Sequence, residues 1–350
     1  MAVLSTTNLT LADWAKRRDP DGSMAVIANI LSQSNEILDD GVFKMANGPT
    51  SHRCTIATGL PAVYWRQVNQ GIMPSHGTTA QVDEGIGMLE SRSEVDIALA
   101  SLEADESAFR LSEARLRLEA MNQEMAKTMI YGNSAVNPER FMGIAPRYSS
   151  FAAGNKQNIF NAGNDAAATD NTSIYLVGWS DETCFFTFPK GSASGIEQKN
   201  LGEQSVDVFD ASNAYSGKMQ ALVDWYCWKL GMVVKDWRYA ARIANLKVAD
   251  LVGLSNTQAP DATTNYATQL THLMAQAIYR MPNLGMVRPA FYMNRTVHSA
   301  LSRMAMEKQI NVLNIESGLS SFGTARNYLS FMGVPIRRVD AILNTEEYVS

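Results

Sequence analysis

The chain has 350 residues, of which 46% are hydrophobic and 19% charged, and its formal net charge is −5 at pH 7. This length can bury a large core and predicts a division into two or three lobes. The negative charge argues against a dedicated nucleic-acid-binding protein, because such proteins carry a basic stripe that replaces counterions along the phosphates. The low charged fraction favours a chain that buries surface against partners.

Cysteine content and hydropathy place further limits on the class of protein. Cys54, Cys184 and Cys227 are odd in number and far apart, so they do not read as a disulfide framework. No stretch reaches the roughly 18 apolar residues of a membrane span, and the first residues lack the basic start and apolar run of a secretion signal. We therefore expect a protein that folds under reducing conditions and stays soluble until it assembles.

Residues 1–50 are predicted to form an N-terminal arm. One short helix is predicted after Thr10 and a second after Asp21 and Ser23, where apolar residues recur at helical spacing. Neither helix is long enough to make a core of its own, so we expect both to lie on another surface.

Residues 51–100 are predicted to form a long β-hairpin, here called the extended loop. Residues 53–68 are rich in β-branched and aromatic side chains, and residues 93–100 alternate apolar with polar ones. Glycines and a proline in residues 69–89 predict a flexible tip where the chain reverses. An isolated hairpin is marginally stable in water, so one of this length predicts support from outside, such as another subunit.

Residues 101–135 contain the strongest helix pattern. Apolar side chains recur every three or four positions between residues 102 and 131, and Gly132 with Asn133 ends the helix. About 30 residues at ~1.5 Å each give a rod of roughly 45 Å, long enough to be the spine of a domain. The apolar positions are Leu111, Ala114, Leu118, Met121, Met125 and Met129, and the predicted exposed ion pairs are Glu106 with Arg110 and Glu113 with Arg117.

The next two segments are predicted to mix loop, strand and helix. Residues 136–204 are predicted to be a loop that leads into β structure. Residues 205–250 are predicted to form a helix between Ser216 and Gly231, followed by one long strand. In that strand, apolar residues share one face and Asp236, Arg238 and Arg242 take the other.

Residues 251–350 alternate helix and strand patterns. A well-formed apolar stripe predicts a helix that Pro282 closes, and residues 288–294 read as a strand. Asn294 is predicted to cap a second helix, and a short helix or loop is predicted near residues 319–329. The chain as a whole is therefore predicted to be α+β, without a regular βαβ repeat.

Three short sequence segments, taken with this order of elements, resemble those of a known protein family. YGNSAVNPERFMGI leaves the spine through a turn, PAFYMNRTVHSALSR runs from a strand into a helix, and FMGVPIRRVDAI opens a strand with glycine and proline. They resemble the major capsid proteins of tailed bacteriophages, which have the Hong Kong 97-type fold. The resemblance covers nearly the whole chain.

The resemblance implies an architecture and a role. It implies an N-terminal arm, an extended loop, a peripheral domain on a spine helix, and an axial domain in residues 251–350, with residues 136–204 linking the two domains. The peripheral strands of residues 205–250 precede the axial segments here, so the chain order resembles the rearranged one of epsilon15-like short-tailed phages. The implied function is self-assembly into hexamers and pentamers of an icosahedral head that encloses double-stranded DNA.

Partners and location also follow from the resemblance. Copies of the chain itself are the main partners, with non-specific contact to the enclosed DNA, a portal, and a possible scaffolding protein. The head would be assembled in the host bacterial cytoplasm and become part of the virion. Some members of the family join their subunits covalently through a lysine of the extended loop. Residues 52–99 of this chain contain no lysine. We therefore expect non-covalent contacts, with a possible cement or decoration protein, and no membrane partner.

Chemistry-bearing residues do not assemble into a recognisable motif. His52 and Cys54 would need two further ligands at a compatible spacing to hold a metal, so they read as strand residues. His272 and His298 belong to no nucleophile motif and read as packing residues. The Gly-x-Gly of DEGIGMLE lacks the context of a dinucleotide-binding loop. We expect no catalytic, cofactor-binding or metal-binding residues and no enzyme activity.

Aromatic and basic residues give the candidate contacts between subunits. The aromatic cluster between Trp225 and Tyr239 has few basic neighbours, so packing is favoured over base stacking. The densest basic run lies in the arm and would either touch DNA or a neighbour, or be solvated. The predicted contact residues are Trp65, Arg66, Met73, Pro74 and His76 in the extended loop, and Lys16, Arg17 and Arg18 in the arm.

Three alternatives stay open at this point. An encapsulin-like compartment would share the fold but hold an enzyme instead of a genome. Another virion component, such as a tail or portal protein, would form tubes or rings. An enzyme with an unrecognised site would be a stable catalytic monomer.

Overall fold

A computed structural model describes residues 33–102, 106–209, 214–252, 266–306, 313–319 and 325–350. The helices are α1 Ile37–Asp40, α2 Ile97–Ala100, α3 Glu106–Tyr131, α4 Ile144–Arg147, α5 Val248–Val252, α6 Tyr266–Arg280 and α7 Arg295–Met306. The strands are β1 Phe43–Met45, β2 Ser51–Gly59, β3 Thr78–Gly85, β4 Gly87–Asp96, β5 Ile159–Asn161, β6 Asn171–Trp179, β7 Cys184–Phe188, β8 Ile196–Phe209, β9 Tyr215–Val234, β10 Ala240–Lys247, β11 Arg288–Met293, β12 Leu313–Leu319, β13 Ala325–Phe331 and β14 Val334–Arg338. The predicted helices of the arm lie outside the described residues.

The chain divides into two units. The smaller unit contains Met88–Met125 and Gly195–Lys229, and the larger unit contains Ser34–Gly87, Ala126–Ser194 and Leu230–Ser350. None of the helices in the described part of the chain has the length and apolar character needed to cross a membrane.

The core of the larger unit is a mixed sheet covered by two helices. Strand β6 lies between β10 and β11 and is antiparallel to both, while β11 is parallel to β14. Every residue of β6 is buried, as expected for a strand with both faces covered. The apolar stripes of α6 and α7, from Leu270 to Met304, pack into the same core, and the Asn294 side chain accepts a hydrogen bond from Thr296 N, which confirms the predicted cap.

A buried carboxylate joins the last described segment of the chain to this core. Glu346 is 2.8 Å from Arg242 Nη2 and accepts hydrogen bonds from the hydroxyls of Ser173, Tyr131 (2.5 Å) and Tyr175 (3.2 Å). Burial raises the pKa of Tyr131 well above its usual range, so the phenol stays protonated and donates. The two buried charges therefore neutralise each other inside a satisfied polar network.

The smaller unit is a long hairpin packed against a helix. Strands β8 and β9 pair antiparallel from Ile196 opposite Trp228 to Phe209 opposite Tyr215, and β4 pairs with β9. Helix α3 contributes Phe109 to a small apolar cluster with Val95 and Leu99. Arg110 makes a bidentate ion pair with Asp224 of β9 at 2.7 and 3.2 Å, which fixes the helix to the strand.

The spine helix is confirmed within one turn of its predicted bounds. It has 26 residues, which at ~1.5 Å per residue is about 39 Å. Ala114, Met121 and Met125 are buried as predicted, but Leu111 is 54% exposed and does not belong to the apolar stripe.

The helix predicted between Ser216 and Gly231 is wrong, because these residues belong to strand β9. Met219, Val223 and Tyr226 recur at spacings that suit a helix, but the ladder with β8 satisfies the backbone in the extended form. The single long strand predicted after it is also wrong, since a 3-10 turn at Trp237–Tyr239 separates β9 from β10. Arg242, on the predicted polar face, is buried and pairs with Glu346.

The helix or loop predicted near residues 319–329 is corrected as well. Strands β12 and β13 pair antiparallel across this segment, from Leu313 opposite Phe331 to Leu319 opposite Ala325. Only Leu329, Ser330 and Phe331 alternate apolar and polar side chains, and this strand signal is too short to have settled the prediction.

Removing the Glu346 charge tests the buried network. Glu346→Gln leaves Arg242 buried without a counter-charge, and we expect the free energy of unfolding to fall by about 3 kcal/mol. Urea denaturation of unassembled subunits measures this change. Glu347→Gln is the control, because Glu347 is exposed and should change stability little. Equal effects of the two substitutions would contradict the assigned role.

Candidate intersubunit interface

The extended loop is a two-stranded hairpin with a long tip. Strands β2 and β3 pair antiparallel from Ser51 opposite Gly85 to Gly59 opposite Thr78, with a bulge after Ala57. Residues 60–77 continue beyond the ladder without forming strands. We call residues 60–77 the tip.

The hairpin is predicted correctly as an element, but its boundaries are wrong. The first strand ends at Gly59 and not at Val68, and the second strand is β3, which lies inside the segment predicted to be the flexible tip. Residues 93–100 do not belong to this hairpin, since some of them pair with another strand and the others form α2. Asp96 accepts a hydrogen bond from Ala98 N and so caps this helical turn. The alternating pattern of these residues did indicate a strand, but it belongs to β4.

The tip has little internal structure. Gln70 N donates to the Gln67 carbonyl at 3.2 Å and makes the reversing turn. Asn69 adopts a φ of 71° there, a conformation that asparagine tolerates better than most residues. The Ser75 hydroxyl donates to the Ala62 carbonyl at 2.8 Å, so the two limbs of the tip run side by side.

Large apolar side chains of the tip are exposed. Trp65 is fully exposed, Leu60 is 91% exposed and Met73 is 77% exposed. The structure brings together the predicted contact residues Trp65, Arg66, Met73, Pro74 and His76 on this one segment, all of them exposed. Prediction missed Leu60, Val63 and Val68, whose exposure follows from the early end of β2. Lys16, Arg17 and Arg18 lie outside the described residues.

A buried ion pair holds the root of the hairpin. Glu84 of β3 is 7% exposed, and its two carboxylate oxygens accept from Arg147 Nη1 and Nη2 at 2.6 and 2.7 Å. Arg147 also donates to the Met142 and Met232 carbonyls at 3.2 and 3.3 Å. One guanidinium thus joins the hairpin, α4 and β9, an arrangement that suits its planar set of donors.

Two further contacts fix the first strand at the root. Asn47 Oδ1 accepts from Arg53 N at 2.9 Å, and Asn47 Nδ2 donates to the Arg53 carbonyl at 2.8 Å. Cys54 is buried against Phe185 and Val233. Burial raises the pKa of the Cys54 thiol. The hairpin therefore has a fixed root, whereas all residues of the segment 60–77 are exposed.

The residues considered for metal binding or catalysis take ordinary positions. His52 packs edge-on against Phe185, and partial burial, ahead of the charge of Lys44, lowers the His52 pKa. Within the described residues, no group of His, Cys, Asp and Glu has the arrangement of a metal site. His298 is half-buried and its pKa is lowered by burial and by Arg338. His272 is exposed, so it does not lie in the core, and packing at an interface stays a prediction for it.

The hairpin of β8 and β9 is the feature that prediction missed most completely. Its exposed end carries Phe209 and Tyr215, whose rings are 6.3 Å apart. The alternation of Ser205 and Asp207 with Val206 and Val208 is a strand signal that was available in the sequence. Of the aromatic cluster, Tyr226, Trp228 and Tyr239 are buried, as expected for packing residues.

A fixed hairpin, a spine helix and a mixed sheet together define a phage capsid protein with the Hong Kong 97-type fold. The structure of bacteriophage Epsilon15 matches with a TM-score of 0.74 and 31% identity, covering 100% of this chain and 99% of the other. A family model described as Major capsid protein GP7 matches residues 19–350. The chain belongs to the Major capsid protein GP7 family, whose members are subunits of the head shell of a virion.

More distant matches were also found. The bacteriophage JBD30 capsid aligns at a TM-score of 0.47 and 8% identity, covering 89% of this chain and 92% of the other. The SrpI encapsulin complex of Synechococcus elongatus aligns at 0.41 and 10% identity, covering 68% and 97%. A comparison with curated protein sequences gives no match.

Breaking the root ion pair should loosen the hairpin. Glu84→Gln weakens a charge-assisted contact in a buried position, and we expect faster hydrogen exchange in Ser51–Gly59 and Thr78–Gly85, measured by mass spectrometry. Asp83→Asn is the matched control, because it removes the neighbouring ion pair with Arg53, which is exposed to solvent. Similar exchange in the two variants would show that the buried pair does not hold the root.

Proposed function

We propose that the tip of the extended loop makes the contacts that join neighbouring subunits into hexamers and pentamers of the icosahedral head. The observation that supports this most is the exposure of several large apolar side chains on one unsupported segment, among them Leu60, Trp65 and Met73. Contiguous exposed apolar surface of this kind marks an interaction site. Burying each such side chain contributes roughly 1.5–3 kcal/mol, and every copy repeats the contact.

The head is proposed to hold double-stranded DNA through weak, non-specific contact. A net charge of −5 suits a container, because a strongly basic inner surface would bind the genome tightly and is not needed to enclose it. Lys16, Arg17 and Arg18 are proposed contacts with DNA or with a neighbouring subunit.

Other partners are proposed from the family alone. They are a portal, a possible scaffolding protein and a possible cement or decoration protein, with assembly in the host bacterial cytoplasm. The extended loop has no lysine between residues 52 and 99, so we propose that its contacts are non-covalent. We also propose that the chain has no enzyme activity, since the arrangement around His52 and Cys54 is that of packing residues.

The division of the chain into functional parts is likewise a proposal. Residues 1–50 serve as the arm, residues 51–100 as the extended loop, and residues 101–135 as the spine. Residues 136–204 link the domains, residues 205–250 complete the peripheral domain, and residues 251–350 form the axial domain that meets its copies at the capsomer centre.

Removing the tip tests the proposed function. Replacing residues 60–77 by an Asn-Gly turn joins Gly59 to Thr78 through a tight hairpin and keeps the root intact. We expect a folded, soluble subunit that forms no closed particles, as seen by electron microscopy and size-exclusion chromatography.

The double substitution Trp65→Ser with Met73→Ser is a milder version and should lower the particle yield strongly. The control is Leu343→Ser, which changes an exposed apolar residue outside the hairpin. Normal shells from the chain without its tip would rule out the role proposed for the extended loop.

A further inference from the structure

Strand β8 has an edge that nothing in the described chain covers. Among the described strands it pairs with β9 alone, and every one of its residues is exposed or half-buried. An uncovered strand edge presents a row of unpaired N–H and C=O groups, which is a template for adding another strand. Proteins that must stay monomeric avoid or blunt such edges.

The edge of β8 is interrupted in its first half and regular in its second half. A bulge at Asn200 and Gly202 interrupts the first half, where Glu197 and Lys199 also form an ion pair at 2.9 Å. Residues 202–208 then pair with β9 in unbroken register. These residues span about 20 Å at ~3.3 Å each, the length of an ordinary strand.

One limb of the exposed tip also has backbone N–H groups without a described acceptor. The backbone N–H groups of residues 62–66 donate to no described residue, and a hydrogen bond between the two limbs runs from the Ser75 hydroxyl to the Ala62 carbonyl. Such an extended segment gains a full set of backbone hydrogen bonds when it joins a sheet edge.

The two faces of β8 match the side chains of the tip in charge and in apolar character. Along β8, Glu203, Ser205 and Asp207 are exposed on one face, while Val206 and Val208 are half-buried on the other. In the tip, Arg66 is the one charged side chain between residues 60 and 77, and it alternates with Val63 and Trp65. In a paired strand, Arg66 lies on the acidic face when Val63 and Trp65 lie on the valine face.

We propose that residues 62–68 of one copy add as a strand to residues 202–208 of a neighbouring copy. This inference rests on the proposed function and deepens it, because it names the surface that receives the tip. Backbone pairing supplies the attachment, and the contact of Arg66 with Glu203 and Asp207 sets the register. Of the two carboxylates, Asp207 also lies 3.7 Å from Lys218, so Glu203 is the more available partner.

Charge reversal provides the first test. Arg66→Glu and Glu203→Arg, made singly, should each raise the protein concentration needed for particle formation about tenfold. The double variant should return to within about threefold of the wild type, because the pair is re-formed with opposite signs. Arg66→Glu combined with Glu347→Arg is the matched control and should not recover, since Glu347 is exposed elsewhere.

Disulfide cross-linking provides the second test. Ser205→Cys is combined in turn with Tyr64→Cys and Arg66→Cys, and the three native cysteines are buried, so the background is low. Disulfide-linked oligomers should appear in oxidised particles for at least one combination. Tyr64→Cys with Lys156→Cys is the control, since Lys156 is exposed and belongs to the larger unit, whereas β8 belongs to the smaller one.

The outcomes separate this inference from the proposed function. Particles that form normally but give neither charge rescue nor cross-links overturn the inference while the tip's general role stands. A wild-type chain that forms no particles contradicts both. Rescue together with cross-links establishes the β8 edge as the receiving surface.

Discussion

The ion pair between Glu84 and Arg147 is the constraint on which the exposed hairpin depends. A strand pair that carries its apolar side chains into solvent cannot hold its direction through burial of its own tip. Its direction must come from the root, where one guanidinium joins β3 to the carbonyls of Met142 and Met232. Because both charges are buried, the loss of either leaves the other without compensation, so removing one partner costs more here than at an exposed pair such as Arg53 with Asp83.

The larger unit contains a second buried ion pair between residues that are far apart in sequence. Arg242 and Glu346 are a buried pair separated by 104 residues in sequence, and the pair joins β10 to the last described segment. Tyr131, at the end of the spine helix, donates to the same carboxylate. A helix end, a central strand and a terminal segment are thereby fixed to one another by a network whose polar groups are satisfied.

Local patterns predicted the elements whose periodicity is unambiguous, and failed where tertiary contacts decide. The spine helix, the stripe of α6 and the Asn294 cap follow from spacing alone. Strand β9 was misread because Met219, Val223 and Tyr226 recur at helical spacings, and its pairing with β8 settles the question. No local signal marks Glu84 and Arg147 as partners, since 63 residues separate them. Trp65 and Met73 were singled out because aromatic and apolar side chains cluster in this segment, and the structure shows that both are exposed. Their contact with neighbouring subunits stays a prediction.

The features that would make this subunit prone to aggregate are the same ones that give a shell its order. A long uncovered strand edge and an apolar tip would associate without register if nothing else restricted them. The bulge at Gly202 shortens the usable edge of β8 to a run of ordinary strand length. Within the tip, Arg66 is the single charge, so one alignment against Glu203 and Asp207 satisfies it and a one-residue slip places it on the valine face. In the proposed contact, specificity would therefore come from how few charges the interface carries, whereas affinity would come from the number of copies that repeat it.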